Sequence, residues 1–443
     1  MLKSFKIGGV HPAENKLSAQ KAIEVLPLPK SVFIPVGQHI GAPAEPVVQK
    51  GDQVIVGQLI AKSSGFVSAN IHASVSGKVT KVETGPDTSG YPKKGIYIDV
   101  EGDIWDEKID RSPDLNLEIS IGSAAILAKI QEAGIVGLGG ATFPTHVKLV
   151  PPKGMKADIL LINGVECEPY LTSDHRMMLE HTEELIVGVQ LLMKALNVTR
   201  AAIGIENNKP DAISKIIKTA YRHSNISVVP LKVKYPQGGE KQLIKAVTGR
   251  EITSGALPIS VGAVVTNVAT TFAVYEAVQK NKPLFERVVT VTGKSLASPS
   301  NFKVRIGTAI SVLIEAAGGL PDNCGKIING GPMMGKAVTT IEIPVTKGTS
   351  GILMMPDTEA KRGETMPCIR CSRCVSVCPM GLEPFLLMTV SEKLIWETAE
   401  KERIMDCIEC GSCSYTCPAN RPLLDYIRLG KGKVGSLIRN RKN

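Results

Sequence analysis

The sequence is poor in aromatic residues, which make up 4% of its 443 positions, and it has no long apolar run. Its most apolar stretch, residues 157–165, has the length of a buried strand and is far short of the roughly 18 residues that span a bilayer as a helix. Residues 1–9 lack the apolar core of a signal peptide. We therefore expect aliphatic cores, no membrane-spanning helix, no secretion, and cysteines kept reduced rather than paired in disulfides.

Positive charge is in excess, with a formal net charge of +10. Near the C-terminus a single acid, Asp425, faces seven basic residues: Arg421, Arg428, Lys431, Lys433, Arg439, Arg441 and Lys442. No nucleic-acid motif or interleaved aromatic residues accompany this charge, so no nucleic-acid partner is expected. Anionic lipid headgroups and an acidic electron-carrier protein both fit the excess, and so does a basic tail that is simply solvated.

Eight of the ten cysteines form the pattern C-x2-C-x2-C-x3-C-P twice, ending at Pro379 and at Pro418. In this pattern three thiolates of one run bind one [4Fe-4S] cluster, and the fourth thiolate binds the cluster of the other run. The first predicted cluster has the ligands Cys368, Cys371, Cys374 and Cys417, and the second has Cys407, Cys410, Cys413 and Cys378. Structural zinc, the main alternative, usually takes paired C-x2-C units and fits this doubled run poorly.

The N-terminal part is rich in short apolar segments broken by turn residues, which predicts a β-rich module over residues 1–112. Two of its segments, 47–61 and 74–82, are similar to the half-motifs of biotinyl- and lipoyl-type barrel-sandwich domains. The lysine that those carriers modify has no equivalent context here, since Lys62 precedes an unrelated S-S-G-F-V-S-A segment. The interpretation is a structural module rather than a swinging arm.

The middle of the chain alternates predicted strands and helices, starting with a helix over about 120–133 that ends at Gly134. The next segment, 137–148, contains a glycine-rich loop followed by Lys148, an arrangement suited to close approach by a phosphate. The strand 157–162 then leads into the polar segment 163–169. Further strands are predicted at 201–205, 227–233 and 263–268, with helices at 211–223, at 241–247 and after residue 268 to about residue 279. This pattern predicts an α/β domain with ligand contacts at the carboxyl ends of its strands.

Four segments in this order are specific: G-L-G-G-A-T-F-P-T-x-x-K, N-G-x-E-C-E-P, Y-P-Q-G-G-E and T-N-V. Together they resemble the flavin-binding, NADH-oxidising subunit of respiratory complex I and, more closely, the C subunit of the Rnf electron-transport complex. The resemblance implies a non-covalent FMN that receives hydride from NADH. It carries the FMN contacts onto Gly137, Gly139, Gly140, Lys148, Asn163, Glu166, Glu168, Tyr235, Gly238, Glu240 and Asn267. Phe143 and Glu168 are then expected to flank the nicotinamide nucleotide, whereas Leu138, Val165 and Thr266 depart from the complex I pattern.

The same resemblance implies a multidomain α/β layout in five parts. These are a barrel-sandwich-like module at 1–112, an FMN- and NADH-binding α/β domain at 115–285, a β-grasp domain of the SLBB type at 286–340, a helical two-[4Fe-4S] ferredoxin domain at 360–430, and a basic tail at 431–443.

No residue is predicted to be catalytic. Five other residues have reactive or charged side chains. Cys167, beside the expected flavin, is interpreted as a small buried residue, with a redox role as the alternative. His146 and His175 are candidate proton donors, although hydride transfer to a flavin requires none. Asp406 and Glu409 are either solvated or tune the second cluster.

The loop 330–336 matches G-x4-G-K, but Ala337 replaces the Ser or Thr of a nucleotide-binding loop. A strand is predicted over 338–341, where such a loop would open a helix. The loop is therefore interpreted as a structural turn.

The resemblance implies a peripheral NADH-oxidising or NAD-reducing subunit of the ion-translocating Rnf ferredoxin:NAD oxidoreductase. Its expected partners are the other Rnf subunits, especially the ferredoxin-like B subunit, at the cytoplasmic side of the inner membrane. A flavin converts hydride pairs into single electrons, and each cluster carries one electron. Two alternatives remain: a flavin- and iron-sulfur-containing cobalamin reductase of a bacterial microcompartment, and an electron-transfer scaffold that has lost its flavin.

Overall fold

The computed structural model describes residues 2–442, and the side chain of Lys442 is outside that description. Its N-terminal module consists of two small, mostly antiparallel sheets around an aliphatic core that includes Ile34, Ile60 and Ile98. One sheet has the order β2-β8-β7-β4, formed by β2 (Ser31–Pro35), β4 (Gln53–Val54), β7 (Gly77–Gly85) and β8 (Lys93–Val100). The other has the order β3-β5-β6, formed by β3 (Glu45–Pro46), β5 (Leu59–Lys62) and β6 (Ile71–His72). The predicted β-rich module is confirmed.

The middle of the chain forms a parallel sheet of order β11-β10-β9-β12, covered by helices. Its strands are β9 (Ile159–Asn163), β10 (Ala201–Glu206), β11 (Ile226–Leu231) and β12 (Ala263–Asn267). The helices are α1 (Ser123–Glu132), α2 (Thr145–Lys148), α3 (Ser173–Glu180), α4 (Thr182–Leu196), α5 (Pro210–Ala220), α6 (Glu240–Thr248), the 3-10 turn Pro258–Val261 and α7 (Val268–Gln279). The predicted strand and helix order is confirmed within a few residues at each end.

A six-stranded mixed sheet follows, in the order β1-β14-β13-β17-β15-β16. Its strands are β1 (Ile23–Val25), β13 (Glu286–Thr292), β14 (Ser300–Arg305), β15 (Cys324–Asn329), β16 (Lys336–Ala337) and β17 (Gly351–Pro356), with helices α8 (Ile310–Ala316) and α9 (Asp357–Ala360). The strand predicted at 338–341 is wrong, because β16 ends at Ala337 and a bend and turn follow. No helix follows Lys336 directly, which agrees with the rejection of a nucleotide-binding loop.

The C-terminal part is helical and carries both cysteine runs. Its helices are α10 (Arg373–Ser376), α11 (Pro384–Glu392), α12 (Trp396–Lys401), the 3-10 turn Ile404–Asp406, α13 (Ser412–Thr416) and α14 (Leu423–Lys442). The predicted basic tail is the second half of α14, anchored by the buried side chain of Val434; its last residue, Asn443, lies outside the described residues. Within residues 2–442, no helix combines the length and the apolar composition needed to cross a bilayer.

Residues 3–25, which we call the N-terminal strap, precede the first module in sequence and contact the other three regions. Lys3 bridges to Leu231 at the end of β11, and Val10 pairs with Tyr235 in the following loop. The amide of Gly9 donates to the carbonyl of Val377 in the first cysteine run at 2.8 Å. The strap ends as β1, which pairs in parallel with β14. It therefore ties the parallel sheet, the cysteine-bearing helices and the mixed sheet together.

Candidate functional site

The predicted flavin residues meet at the carboxyl edge of the parallel sheet. Asn163 and Asn267 end the neighbouring strands β9 and β12 in direct register. Asn163 donates its amide to the carbonyl of Gly238 at 2.8 Å, so it holds the loop before α6 against this edge. Asn267 caps α7 through hydrogen bonds from the amides of Ala269 and Thr270. Both asparagines thus fix the loops that would surround a ligand.

The glycine loop packs against the same edge. A Cβ on Gly139 would lie 2.7 Å from the side-chain nitrogen of Asn267, so no larger residue fits in this position. The amide of Leu138 donates to the hydroxyl of Thr270 at 2.8 Å, which fixes the loop to the start of α7. Gly139 and Gly140 remain solvent-exposed, and nothing lies within 4 Å of a Cβ placed on Gly140. The loop therefore presents open backbone to an incoming group.

A half-buried ion pair lies beside the loop. Lys148, the last residue of α2, is 2.6 Å from the carboxylate of Glu240, the first residue of α6. Both side chains keep about a third of their surface exposed, at 35% and 39%. The ammonium of Lys148 can therefore also approach a phosphate at the glycine loop.

Two acidic residues, Glu166 and Asp174, also lie at this edge of the sheet. The carboxylate of Glu166 accepts hydrogen bonds from the amides of Asp174 and His175, at 2.7 and 3.1 Å, and so caps α3. Asp174 accepts the side-chain amide of Asn267 at 2.6 Å. Burial, with the neighbouring charge of Glu166, raises the pKa of Asp174 to about 7. Asp174 was not singled out from the sequence, because an acid in the first turn of a helix is an ordinary capping feature.

Glu168 has partners other than the nucleotide contact predicted for it. Its two carboxylate oxygens accept the amides of Met333 and Met334 at 3.1 and 2.7 Å. Burial raises the pKa of Glu168 to about 7. A Cβ on Gly331 would collide with this carboxylate. The loop 330–336, which we call the bracket loop, thus wraps around Glu168.

Tyr235 joins the parallel-sheet domain to the second cysteine run. Its side chain is buried, and its hydroxyl donates to the carbonyl of Cys410 at 2.8 Å. Val10, Tyr235 and Cys410 form a small apolar cluster against which Ile408 packs. Nearby, the side-chain amide of Gln242 donates to the carbonyl of Pro379 at 3.2 Å.

Lys16 of the strap fixes the loop between β9 and α3. Its buried ammonium donates to the carbonyls of Glu166, Glu168 and Leu171 at 2.8, 2.9 and 2.6 Å. Burial lowers its pKa. No short-range sequence pattern indicates this contact, because the partners are about 150 positions apart.

Four cysteines, Cys378, Cys407, Cys410 and Cys413, line one cavity with apolar walls that include Leu387 and Ile427. Cys378 comes from the first run, so the chain brings together the crossed set predicted for the second cluster. Burial raises the pKa of Cys407 to about 11 and that of Cys413 to about 12, so their thiolates require cationic partners such as iron.

The other predicted set is more open. Cys368 and Cys371 are exposed, while Cys374 and Cys417 are half-buried. Cys374 and Cys417 are close enough for one thiolate to raise the pKa of the other, after the larger effect of burial. Among the described residues, no group of three or more His, Cys, Asp or Glu side chains converges on a single ion.

Cys167 lies beside the site, because its sulfur accepts the amide of Gly238 at 3.4 Å. Burial raises the pKa of Cys167 to about 12, which suits an inert thiol. Burial lowers the pKa of His146, whose Nδ1 has no partner, and His175 pairs with Asp211 at 2.8 Å. Asp406 accepts the hydroxyl of Ser254, and Glu409 pairs with Arg428 and Lys431, so neither acid is simply solvated.

Four protein-family models match successive parts of the chain. They are the RnfC barrel sandwich hybrid domain at 3–103, the Nuo51 FMN-binding domain at 130–276, the SLBB domain at 288–337 and a 4Fe-4S dicluster domain at 360–419. The expected fold class, with its four kinds of domain, is confirmed.

Curated relatives match over nearly the whole chain. The C subunit of the proton-translocating ferredoxin:NAD(+) oxidoreductase complex of Clostridium ljungdahlii is 50% identical, over 98% of this chain and 94% of its own length. Its counterpart in the Na(+)-translocating ferredoxin:NAD(+) oxidoreductase complex of Acetobacterium woodii is 45% identical, over 97% of both chains. An NAD+-reducing [NiFe]-hydrogenase structure aligns at 18% identity with a TM-score of 0.49, over 70% of this chain and 62% of that one.

Proposed function

The chain belongs to the family of C subunits of the Rnf complexes, the ion-translocating ferredoxin:NAD+ oxidoreductases, and from this premise we propose that it exchanges electrons between NAD(H) and one-electron carriers. Its cofactors in this role are FMN and two [4Fe-4S] clusters. When bound, the flavin exchanges hydride with the nicotinamide and passes electrons singly to clusters that hold one each.

One observation carries the proposal: the sheet edge with the glycine loop and the cavity with four cysteines meet at Tyr235. The Tyr235 hydroxyl contacts the main chain of Cys410, and its own loop is held to the sheet edge by Asn163. The proposed flavin site and the proposed second cluster are therefore neighbours.

The residues at the sheet edge fit a flavin phosphate and ring. The exposed backbone of Gly139 and Gly140 and the half-exposed Lys148 suit the phosphate. The hydroxyl of Thr266, at the end of β12, is buried without a hydrogen-bond partner among the described residues, as expected where a polar ligand binds. The proposed FMN contacts are Gly137, Gly139, Gly140, Lys148, Asn163, Glu166, Glu168, Tyr235, Gly238, Glu240 and Asn267.

The nicotinamide nucleotide is proposed to approach the half-buried ring of Phe143, beside the glycine loop. Glu168 was predicted to share this role. Glu168 keeps this proposed role, and its hydrogen bonds to the bracket loop also support a part in fastening the mixed sheet to the flavin domain.

Each cluster is proposed to take three cysteines of one run and the last cysteine of the other. The shared cavity of Cys378, Cys407, Cys410 and Cys413 supports this crossing. Iron then offsets the charge of thiolates that burial alone would keep protonated.

As a subunit of the Rnf complex, the chain assembles with other subunits. We propose that the ferredoxin-like B subunit is its one-electron partner and that the chain binds peripherally at the cytoplasmic side of the inner membrane. The cobalamin reductase alternative loses its support, because relatives matching nearly the whole chain are named as C subunits of ferredoxin:NAD(+) oxidoreductase complexes.

An anaerobic titration of the cluster-loaded protein with NADH tests the function. We expect the flavin absorbance to bleach first and the broad cluster absorbance to fall next. If only dithionite bleaches the clusters and no flavin is released on denaturation, the chain is an electron-transfer scaffold and the proposal is wrong.

The variant Gly139→Ala tests the flavin site itself. Its Cβ would displace Asn267, so we expect loss of bound flavin, measured by the flavin released on denaturation. Gly122→Ala is the matched control, since nothing lies within 4 Å of its Cβ. Equal flavin content in both variants would contradict the assigned location.

A further inference from the structure

The loop between β9 and α3, residues 164–172, has a strained backbone. We call it the flavin loop, because it carries Glu166 and Glu168, two of the proposed FMN contacts. Glu166 and Tyr170 have positive φ, at 46° and 71°, in a region that residues other than glycine seldom adopt. Such a backbone keeps its conformation only where contacts from outside hold it.

Those contacts come mainly from the strap. The ammonium of Lys16 donates to three carbonyls of the flavin loop at 2.8, 2.9 and 2.6 Å, those of Glu166, Glu168 and Leu171, so all three of its protons are used. The amide of Tyr170 donates to the carbonyl of Glu14 at 2.8 Å. From the parallel-sheet domain, Lys209 donates to the carbonyl of Val165 at 2.8 Å. The conformation at both strained residues therefore depends on the strap.

An earlier part of the same strap is fastened to the second cluster site. Gly8 has a φ of 68°, and a Cβ in this position would lie 2.5 Å from the carbonyl carbon of Cys378. The amide of Gly9 donates to the carbonyl of Val377 at 2.8 Å. Cys378 is a proposed ligand of the second cluster and lines its cavity. The strap thus touches a cluster ligand at one point and the flavin loop at another.

Between these two points the strap is fixed by few contacts. Val10 pairs with Tyr235 through two backbone hydrogen bonds of 2.8 and 2.9 Å. After Val10 the strap borders a cavity of about 270 Å³, which Cys167 and Glu206 line from the other side. Because open space rather than apolar packing lies beside this part of the strap, the hydrogen bonds at its ends determine its position.

We propose that Lys16 is a positioning residue of the flavin site, and that the strap makes FMN binding depend on a cluster held by Cys378. This inference rests on the proposed function. Bonding to iron fixes Cys378 against the second run, and with it the backbone on which Gly8 and Gly9 dock. The docked strap holds Lys16 at the flavin loop and so keeps Glu166 in place.

The coupling has two states, with the strap docked and undocked. The cluster favours the docked strap through Cys378, and FMN favours it through the flavin loop, so each ligand should strengthen the binding of the other. Loss of the cluster then lowers the affinity for FMN without changing any FMN contact directly.

The first test measures the FMN dissociation constant of the cluster-loaded protein by flavin fluorescence, after the bound flavin has been removed. Gly8→Ala should weaken FMN binding by about tenfold, which lies in the usual range of coupling between sites. The atoms nearest its Cβ belong to the backbone of Val377 and Cys378, not to the flavin site. Gly90→Ala is the matched control, because it places alanine at a similar φ of 79° with nothing described within 4 Å of its Cβ. Equal FMN affinities in the two variants would overturn the proposal.

Lys16→Met tests the other end of the strap. It should weaken FMN binding by a similar factor, and Lys16→Arg should restore most of the affinity, since a guanidinium also donates several hydrogen bonds. Lys3→Met removes another strap lysine, which donates to the carbonyl of Val247, and should leave the affinity unchanged. Parent-like FMN binding by Lys16→Met would show that Lys16 does not position the site. Circular dichroism and iron content report whether each variant folds, and Gly8→Ala decides the matter if Lys16→Met does not.

The dependence on the cluster is tested with two cysteine variants. Cys413→Ala opens the second cluster site from within the core of the helical part, and Cys368→Ala opens the first. Only Cys413→Ala should weaken FMN binding. Combining it with Gly8→Ala should add little, because both changes undock the same strap. Effects that multiply in the combined variant, or equal weakening by both cysteine variants, would overturn the proposal.

The outcomes separate this inference from the proposed function. If the unmodified protein binds no FMN, or if NADH does not bleach it, the proposed function is wrong and this inference falls with it. If the unmodified protein binds FMN and is bleached by NADH, yet Gly8→Ala matches Gly90→Ala, only the coupling is wrong.

Discussion

The two cysteine runs have one spacing and two environments. Both place two residues in the same left-handed positions, so their loops turn in the same way. The second run is enclosed by the flavin domain, the bracket loop and α14, whereas Cys368 and Cys371 of the first are exposed. The motif therefore specifies the cluster ligands and the backbone conformation of each run. Contacts from distant segments decide which cluster faces inward.

The contrast is sharpest at Gly411 and Ser372. A Cβ on Gly411 would lie 2.7 Å from the carbonyl of Met333 in the bracket loop. Ser372 carries a side chain at the same backbone conformation, because its surroundings are open. Close approach of another segment therefore explains the glycine in one run and its absence from the other.

The largest expected effect comes from breaking the crossing between the runs. Cys378→Ala should remove about half of the bound iron, because it opens the second cluster site although it belongs to the first run. Adding Cys407→Ala should remove little more, whereas adding Cys368→Ala should remove most of the remainder. Iron and sulfide analysis with electron paramagnetic resonance measures this. Additive losses from Cys378→Ala and Cys407→Ala would show that each run binds its own cluster, and Cys324→Ala controls for loss of an unrelated thiol.

The next effect compares the two left-handed positions. Gly411→Ala should destabilise the protein by about 2 kcal/mol, since it adds a steric collision to an unfavourable φ of 78°. Ser372→Gly should instead stabilise it by up to about 1 kcal/mol, because glycine removes the strain in an open site. Thermal unfolding of the cluster-loaded protein measures both changes. If Gly411→Ala and Ser372→Gly changed the stability by small amounts of equal size and opposite sign, the close packing of the bracket loop on Gly411 would be contradicted.

The next effect depends on pH and concerns Glu168, which the bracket loop beside the second run holds. The folded-state pKa of Glu168, about 7, lies above its ordinary value of 4.5, so the folded chain holds this proton more tightly than the unfolded chain does. The stabilisation is complete below about pH 4.5 and is lost as the pH rises through about 7, by at most about 3 kcal/mol.

In Glu168→Gln the free energy of unfolding should therefore decrease less between pH 5 and 8 than it does in the parent. The side-chain oxygen of glutamine can accept only one of the two bracket-loop amides well. The measurement is the difference in unfolding free energy between variant and parent across this range. Glu206→Gln is the comparison variant, because burial also raises the pKa of Glu206 to about 7 at a site away from the bracket loop. A parallel pH profile for Glu168→Gln and the parent would mean that this carboxyl does not titrate in the range.

The smallest effect concerns the charged residues at equivalent loop positions. Glu409→Ala should cost about 0.5 to 1 kcal/mol, because it breaks partly exposed ion pairs with Arg428 and Lys431. Arg370→Ala should change stability by only a few tenths of a kcal/mol, since Arg370 forms no ion pair among the described residues. Chemical denaturation of both variants measures the contrast. A larger loss from Arg370→Ala would show that the first run has internal contacts of its own.

Much of the fold followed from local patterns. The strand-loop sequences ending at Asn163 and Asn267 indicated a parallel sheet with ligand contacts at one edge, and these residues do meet there. Cysteine spacing indicated the crossed ligand sets. The four strands of the parallel sheet and several of its helices were predicted because apolar periodicity and glycine position are local signals, but α3 and α4 were not predicted.

The missed features depend on contacts between distant segments. The strap, β1 and the hydrogen bonds from Lys16 join residues that are far apart in sequence, so no periodic pattern indicates them. The role of Glu168 depends on the bracket loop, which the sequence presented as an isolated turn. The basic tail was predicted as a segment separate from the ferredoxin domain, yet it continues α14 because Val434 packs inward among the helices.

The strap also sets an order of events during synthesis. Gly8 and Gly9 leave the ribosome well before their partners at Val377 and Cys378 are made. Until then the strap can reach only its contacts in the middle region. Its final docking therefore cannot precede translation of the first cysteine run, and such distant contacts form late in folding. A nascent chain can thus expose both cysteine runs for cluster loading before the strap closes over the second site.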